Sequence, residues 1–236
     1  FWGIAMANTT HIGFLLFPQL LSLDFTGPYG VLAAGPSVKI DLVWKDTAPI
    51  RSSDGLVLTP TLSIADCPQL DVLCVPGGGG VLQVMEDQTV LDFLRLQTKD
   101  LRNLCSVCTG PLVLGAAGLL LGRSATTHWQ SFDMLAEFGA VAVRERVVND
   151  RRLFTSAGVS AGIDMALQLA GQLWGDEAAQ EIQLNMEYSP EPPYNSGTPQ
   201  TAPEAIVEGL RKKSAERQAL RLQAVRRAAA RLEQGV

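Results

Sequence analysis

The chain has 236 residues, 47% hydrophobic and 18% charged, with a net charge of −5. That content fills the core of one large domain or two small ones, and the acidic balance argues against nucleic acid as a partner. No apolar run approaches the roughly 20 residues of a membrane span, so no membrane partner is expected. Four cysteines in so long a chain make no disulfide framework, so a reducing cytoplasm is the expected setting.

Phe1 to Ala5, ahead of Met6, lack the basic region and apolar core of a signal peptide. Residues 1–10 therefore read as an N-terminal extension, with Met6 the expected natural start. His11-Ile12-Gly13-Phe14-Leu15-Leu16-Phe17 is a near-continuous apolar run, as in a strand buried on both faces, and Pro18 ends it. His11 itself is expected in solvent. Leu23-Asp24-Phe25-Thr26-Gly27-Pro28 opens a helix, Val38 to Trp44 is a second strand, and Ile50 to Leu58 reads as a hairpin excursion. Asp71 to Pro76 is another buried strand, closed by Gly77-Gly78-Gly79-Gly80, and Val81 to Thr98 has helical periodicity.

Ser124 to Trp129 reads as a short strand running into a helix that ends near Phe138-Gly139. Val141 to Val148 and Arg152 to Thr155 read as strands. Ala157 to Gly162 turns into the apolar helix Ile163 to Trp174, and Asp176 is placed to cap a further helix. Alternating strands and helices predict an α/β fold, with a mostly parallel sheet flanked by helices on both faces. Tyr188 to Pro203 is a proline-rich bridge, and Thr201 and Pro203 open a long C-terminal helix. The division is thus an α/β catalytic domain over 11–200 and a helix over 201–236 docked on the same domain or on a dimer. Ile206, Leu210, Leu222, Val225 and Ala229 lie near one face of that helix. Its basic residues, Arg221 among them, read as a solvated face.

The chain is organised around Leu104-Cys105-Ser106-Val107-Cys108-Thr109-Gly110-Pro111. A short apolar run ends at a cysteine, and a small residue, glycine and proline lead into a helix. That is the pattern of a nucleophile elbow. The turn lifts Cys108 clear of the sheet and aims its sulfur at a helix N-terminus, which favours thiolate. Cys105 lies inside the strand, so Cys105 and Cys108 are not read as a dithiol pair. Cys67 and Cys74 read as ordinary buried cysteines, and no zinc-ligand spacing is present.

Asp24, the Gly77–Gly80 loop, Cys108, His128 and Val159 all follow predicted strands, so they are expected to converge on one rim of the sheet. Asp24 suits a helix cap equally well, but it lies between Leu23 and Phe25. A carboxyl group buried beside a thiolate is pushed toward its protonated form and can serve as an acid. The glycine loop lacks a G-x-G-x-x-G pattern, which argues against a dinucleotide site. His128 is expected to have a hydrogen-bonded structural role.

These motifs resemble the ThiJ/PfpI superfamily, and within it the isocyanide hydratase branch. The resemblance rests on Ile12 to Pro18, Leu23 to Pro28, Val75-Pro76-Gly77-Gly78, Ser106-Val107-Cys108-Thr109-Gly110, Ala125-Thr126-Thr127-His128-Trp129 and Ala161-Gly162-Ile163-Asp164. It implies a flavodoxin-like, glutamine-amidotransferase-like fold, a homodimer and water addition to a small apolar isocyanide, without cofactor or metal. Cys108 would attack the isocyanide carbon, and Asp24 would supply the proton and later activate water. Thr109 and the backbones of Gly78, Gly79 and Val159 would orient the reacting groups. Thr109 stands where the protease members carry His, which argues against peptidase activity. Two alternatives share the motifs: another thiol enzyme of the superfamily, such as a glyoxalase, and the ligand-sensing half of an AraC-type regulator. A complete regulator needs a helix-turn-helix domain of roughly a hundred residues, and 36 residues follow position 200.

Overall fold

The computed structural model describes residues 9–234. Residues 1–8 of the expected extension lie outside the described residues, and Thr10 already belongs to the first strand. In chain order the elements begin with β1 (Thr10–Leu15), α1 (Ser22–Leu32), β2 (Val38–Trp44), β3 (Ile50–Arg51), β4 (Val57–Leu58) and β5 (Leu62–Ser63). Next come β6 (Val72–Val75), α2 (Val81–Val84), α3 (Gln88–Gln97), β7 (Asn103–Val107), α4 (Gly110–Ala116) and β8 (Ser124–Ala125). A 3-10 helix over Trp129–Phe138 precedes β9 (Val141–Ala142), β10 (Val147–Asp150) and β11 (Leu153–Ser156). The chain ends with α5 (Ala161–Trp174), α6 (Asp176–Asn185) and α7 (Glu204–Glu233).

Seven strands form one sheet in the order β10-β11-β7-β6-β1-β2-β5. All its pairings are parallel except β10 with β11 at the edge. The apolar runs of β6 and β7 are buried throughout, because helices cover both faces. On one face α1 packs on α5 and α5 on α6; on the other α4 gathers α2, α3, the 3-10 helix and α7. The parallel order brings the carboxyl ends of β1, β6, β7 and β11 to one edge of the sheet, which positions the site.

Several local expectations change. The helical stretch Val81 to Thr98 is two helices, because Asp87 is extended (φ −93°, ψ 98°) and starts a new one. The stretch Val141 to Val148 divides into β9, which pairs with β8 apart from the main sheet, and β10, which pairs with β11. The hairpin excursion forms as β3 and β4. Gly175, not Asp176, is the N-cap of α6; Asp176 sits in its first turn. His11 is part of β1 rather than solvated, and its Nε2 lies 2.7 Å from Asp41 Oδ2.

The buried stripe of α7 matches the expected one at Val225, with Leu222 and Ala229 partly buried against the core, and departs from it elsewhere. Val207, Ser214, Arg221, Ala224, Val225 and Ala228 face inward, while Ile206 and Leu210 are exposed. Small alanines allow close packing on α4 and the 3-10 helix, and this sets the helical phase more than the larger apolar residues do. Arg221, expected on the solvated face, is only 5% exposed.

Candidate active site

Cys108 follows β7 directly and has φ +57°, a left-handed conformation that a residue with a Cβ adopts only when its surroundings hold it there. Three contacts do so. The Cys108 N–H donates to Ser156 O at 3.1 Å at the end of β11. The Cys108 carbonyl accepts from the His128 N–H at 2.9 Å and from the Thr127 hydroxyl. Gly110 lets the turn close: a Cβ there would meet Val75 O at 2.4 Å and Ser106 Oγ at 2.5 Å. Pro111 is accommodated at the start of α4, where its missing N–H leaves no helical bond unmade.

Asp24 sits in the first turn of α1 and is 1% exposed. It is not the cap; Leu21 holds that position. The Gly77 N–H donates to Asp24 Oδ2 at 3.0 Å. The other oxygen, Oδ1, is buried without a hydrogen-bond partner. The Cys108 thiol interacts with this carboxyl without reaching the geometry of a formed hydrogen bond. Burial pushes the Asp24 carboxyl up from 3.8 to about 7, against the opposing pull of the Gly77 N–H and the thiol. Burial first, and the Asp24 charge second, push the Cys108 thiol well above its ordinary range; the Thr109 N–H opposes them. Asp24 is therefore the member of this pair that titrates near neutral pH.

Thr109 Oγ1 accepts from the Gly78 N–H at 3.0 Å, which locks the glycine loop to the elbow. Gly78 has φ +130°, and a Cβ there would meet Gln19 O and Leu21 N at 2.5 Å. Asp24, Thr109, Gly78 and Cys108 are thus brought together. Gly79 is exposed, lies near Gln19, and makes no hydrogen bond to Asp24, Cys108 or Thr109. Val159 lies on the same rim just before α5, partly buried against the core, and its carbonyl accepts from the Gly162 N–H at 3.5 Å. Cys105 is fully buried on β7, in register with Cys74 on β6. Cys67 is half-buried, and all four cysteines are free.

His128 caps the 3-10 helix, with Nδ1 accepting from the Gln130 N–H at 3.3 Å. Burial, then the charges of Arg221 and Arg217, lower it to about 4, so it is neutral at physiological pH and poorly suited to act as a base. Beside the elbow lies a cavity of about 210 Å³ whose lining includes Thr127, Trp129, Arg144, Ala157 and Gly158. Cys108 and Asp24 do not line it; it shares Thr127 with the nucleophile turn.

Sequence reading missed three contributors. Asp54, from the β3–β4 hairpin, accepts from Ser22 and Ser52 and its charge adds to the rise of Asp24. Thr127 belongs to the quoted Thr-Thr-His-Trp motif, yet its bond to the Cys108 carbonyl had no local signal. Arg221 lies 113 positions after Cys108, beyond any motif.

The family model for the DJ-1/PfpI family matches residues 10–172. The chain is 56% identical to the isonitrile hydratase of Pseudomonas putida over 94% of its own length and 97% of that protein's. It is 37% identical to the HTH-type transcriptional regulator GbdR of Pseudomonas aeruginosa, over 74% of this chain and 50% of the regulator. Among solved structures, a THiJ/PfpI family protein from Pseudomonas syringae superposes with a TM-score of 0.89 at 37% identity, covering 94% of this chain and 90% of that one. With the elbow cysteine, the paired carboxyl and the parallel sheet in place, the chain belongs to the DJ-1/PfpI family.

Proposed function

We propose that this protein is an isocyanide (isonitrile) hydratase that converts R–N≡C to R–NH–CHO through Cys108. The observation that carries the chemistry is a cysteine at a strained elbow facing a buried carboxyl that titrates near 7. The near full-length similarity to the Pseudomonas putida enzyme supports the substrate class.

Isocyanide carbon is a soft electrophile, and a thiolate is a soft, strong nucleophile. Cys108 attacks that carbon, and protonated Asp24 gives its proton to the same carbon. The product is a covalent thioimidate, R–N=CH–S–Cys. Asp24, now a carboxylate, takes a proton from water as the hydroxide adds to carbon. That proton goes to nitrogen. The adduct R–NH–CH(OH)–S–Cys expels the thiolate, and its hydroxyl proton returns to Asp24. Water has been added once and both side chains are restored. Thr109 and the Gly78 N–H fix the relation of the glycine loop to the sulfur. The reading requires no cofactor or metal.

It includes a homodimer in a reducing cytoplasm. Ile206, Leu210 and Leu220 leave apolar surface exposed on α7, and the free cysteines suit that compartment.

Steady-state assay with an aromatic isocyanide, following formamide, tests the function. Cys108→Ser should abolish hydration, while Cys67→Ser, Cys74→Ser and Cys105→Ser retain it. Full turnover by the Cys108 variant would sink the mechanism. Turnover of a glyoxal-type carbonyl in place of isocyanide would favour the glyoxalase alternative.

A further inference from the structure

Among the described residues, Arg221 is the one lysine or arginine that is buried. It makes no ion pair among those residues. Its Nη1 donates to Ser131 Oγ at 3.1 Å and to Gln218 Oε1 at 3.2 Å, both neutral acceptors. Its Nε–H is buried without a partner. A buried cation left without a counter-charge is strongly destabilising, so its persistence calls for a negative charge nearby.

The side chain is tied to the elbow. The Ser131 N–H donates to the His128 carbonyl at 2.8 Å, and the His128 N–H donates to the Cys108 carbonyl at 2.9 Å. The titratable and charged groups that act on Arg221 or feel its charge are Cys108 after β7, His128 and Arg217, and Cys108 in turn faces Asp24 on α1. His128 is neutral, and Arg217 is exposed and of like charge. The Asp24–Cys108 pair carries a negative charge whenever it holds one proton rather than two, and it is the remaining source.

We propose that Arg221 is the counter-charge of the nucleophile, a positioning residue on α7 whose guanidinium favours the form in which Asp24 holds the shared proton and the Cys108 sulfur holds the charge. The step is a single proton transfer from Sγ to the Asp24 carboxylate. It rests on Cys108 being the nucleophile. Direct electrostatics agree with it. The thiol is raised first by burial and then by Asp24; the Thr109 N–H pulls it back toward thiolate, and the Arg221 charge adds a smaller pull in the same direction; burial weakens the Arg221 charge and the thiolate restores it. Without this cation the sulfur form of the pair loses stabilisation.

The test is the pH dependence of Cys108 alkylation by iodoacetamide, followed by mass spectrometry of the Cys108 peptide so that Cys67 does not contribute. In Arg221→Gln the charge is gone. In Gln218→Glu a carboxylate replaces an amide oxygen 3.2 Å from Nη1 and neutralises the guanidinium without opening a gap. Each variant is expected to raise the apparent thiol pKa by about one unit or more, which is about a tenfold slower alkylation at any pH below it. Arg221→Lys should recover most of the rate. Gln218→Glu gives up the bond from Gln218 Nε2 to Gln130 Oε1 (3.3 Å) but supplies the missing ion pair, so it should melt close to the wild-type temperature, and that melt, measured alongside, separates a slower thiol from unfolding. A Gln218→Glu profile that superimposes on the wild type would overturn the proposal, whether or not Arg221→Gln folds. The readout is thiol chemistry, so a wild-type protein inactive on isocyanides would refute the proposed function and leave this titration standing.

Discussion

Asp24→Asn separates the carboxyl's chemistry from its place in the fold. Burial raises the folded-state carboxyl from 3.8 to about 7, and unfolding returns it to the ordinary value. Between about pH 4 and pH 7 the unfolded chain gives up this proton while the folded protein keeps it. Folding stability therefore falls as pH rises through that window and levels off above it. The gap between 3.8 and about 7 corresponds to about 4 kcal/mol. Asparagine has no such proton, and its amide oxygen still accepts from the Gly77 N–H. The stability of Asp24→Asn relative to wild type should therefore climb by about 4 kcal/mol between pH 4 and pH 8. Urea unfolding at intervals of one pH unit measures the difference directly. Hydration by the same variant should drop by about 10²–10⁴-fold, the usual contribution of a positioned proton donor. Parallel stability curves would refute the raised carboxyl. Near-normal kcat would remove Asp24 from the proton path.

Gly77→Ala puts a Cβ 2.5 Å from Thr109 N, 2.6 Å from Thr109 Oγ1 and 2.9 Å from Asp24 Oδ2. Crowding of this kind costs about 1–3 kcal/mol, and here it displaces the Asp24–Cys108 pair, so kcat should fall at least about tenfold with the fold retained; unchanged kcat would contradict the geometry. A chain ending at Glu204 loses Val207, Ala224, Val225 and Ala228 from the core. Their burial is worth on the order of 5 kcal/mol, so Tm should fall by about 10 °C or more, and an unchanged Tm would refute the docked helix. Light scattering of the intact chain should give a dimer mass, and a monomer would refute that part of the proposal.

The order of strands and helices, the elbow at Cys108 and the rim that gathers Asp24, the glycine loop and Cys108 were legible in the chain. Each depends on local signals: apolar runs buried on both faces, a glycine where the backbone must pass close, a proline that fits only a helix start. The break at Asp87 and the division of Val141 to Val148 were not legible, because what neighbouring elements pair with decides where a periodic stretch stops. His11 illustrates the same limit. Its partner, Asp41, is 30 residues away and becomes adjacent only through the β1–β2 register.

Arg221 marks the boundary most clearly. Sequence pattern places α7 and makes it amphipathic, but its rotation about its own axis follows from which residues permit close packing. Val207, Ser214, Arg221 and Ala228 recur every seven positions and are buried together. The pattern of large apolar residues pointed to a stripe that included Ile206 and Leu210. Tertiary packing instead turned a long charged side chain inward, toward Ser131 and the nucleophile turn. Burial then determined the charge states of Asp24, Cys108 and His128, because the cost of a charge depends on the solvent and dipoles removed from around it. Residue identity alone cannot specify that cost.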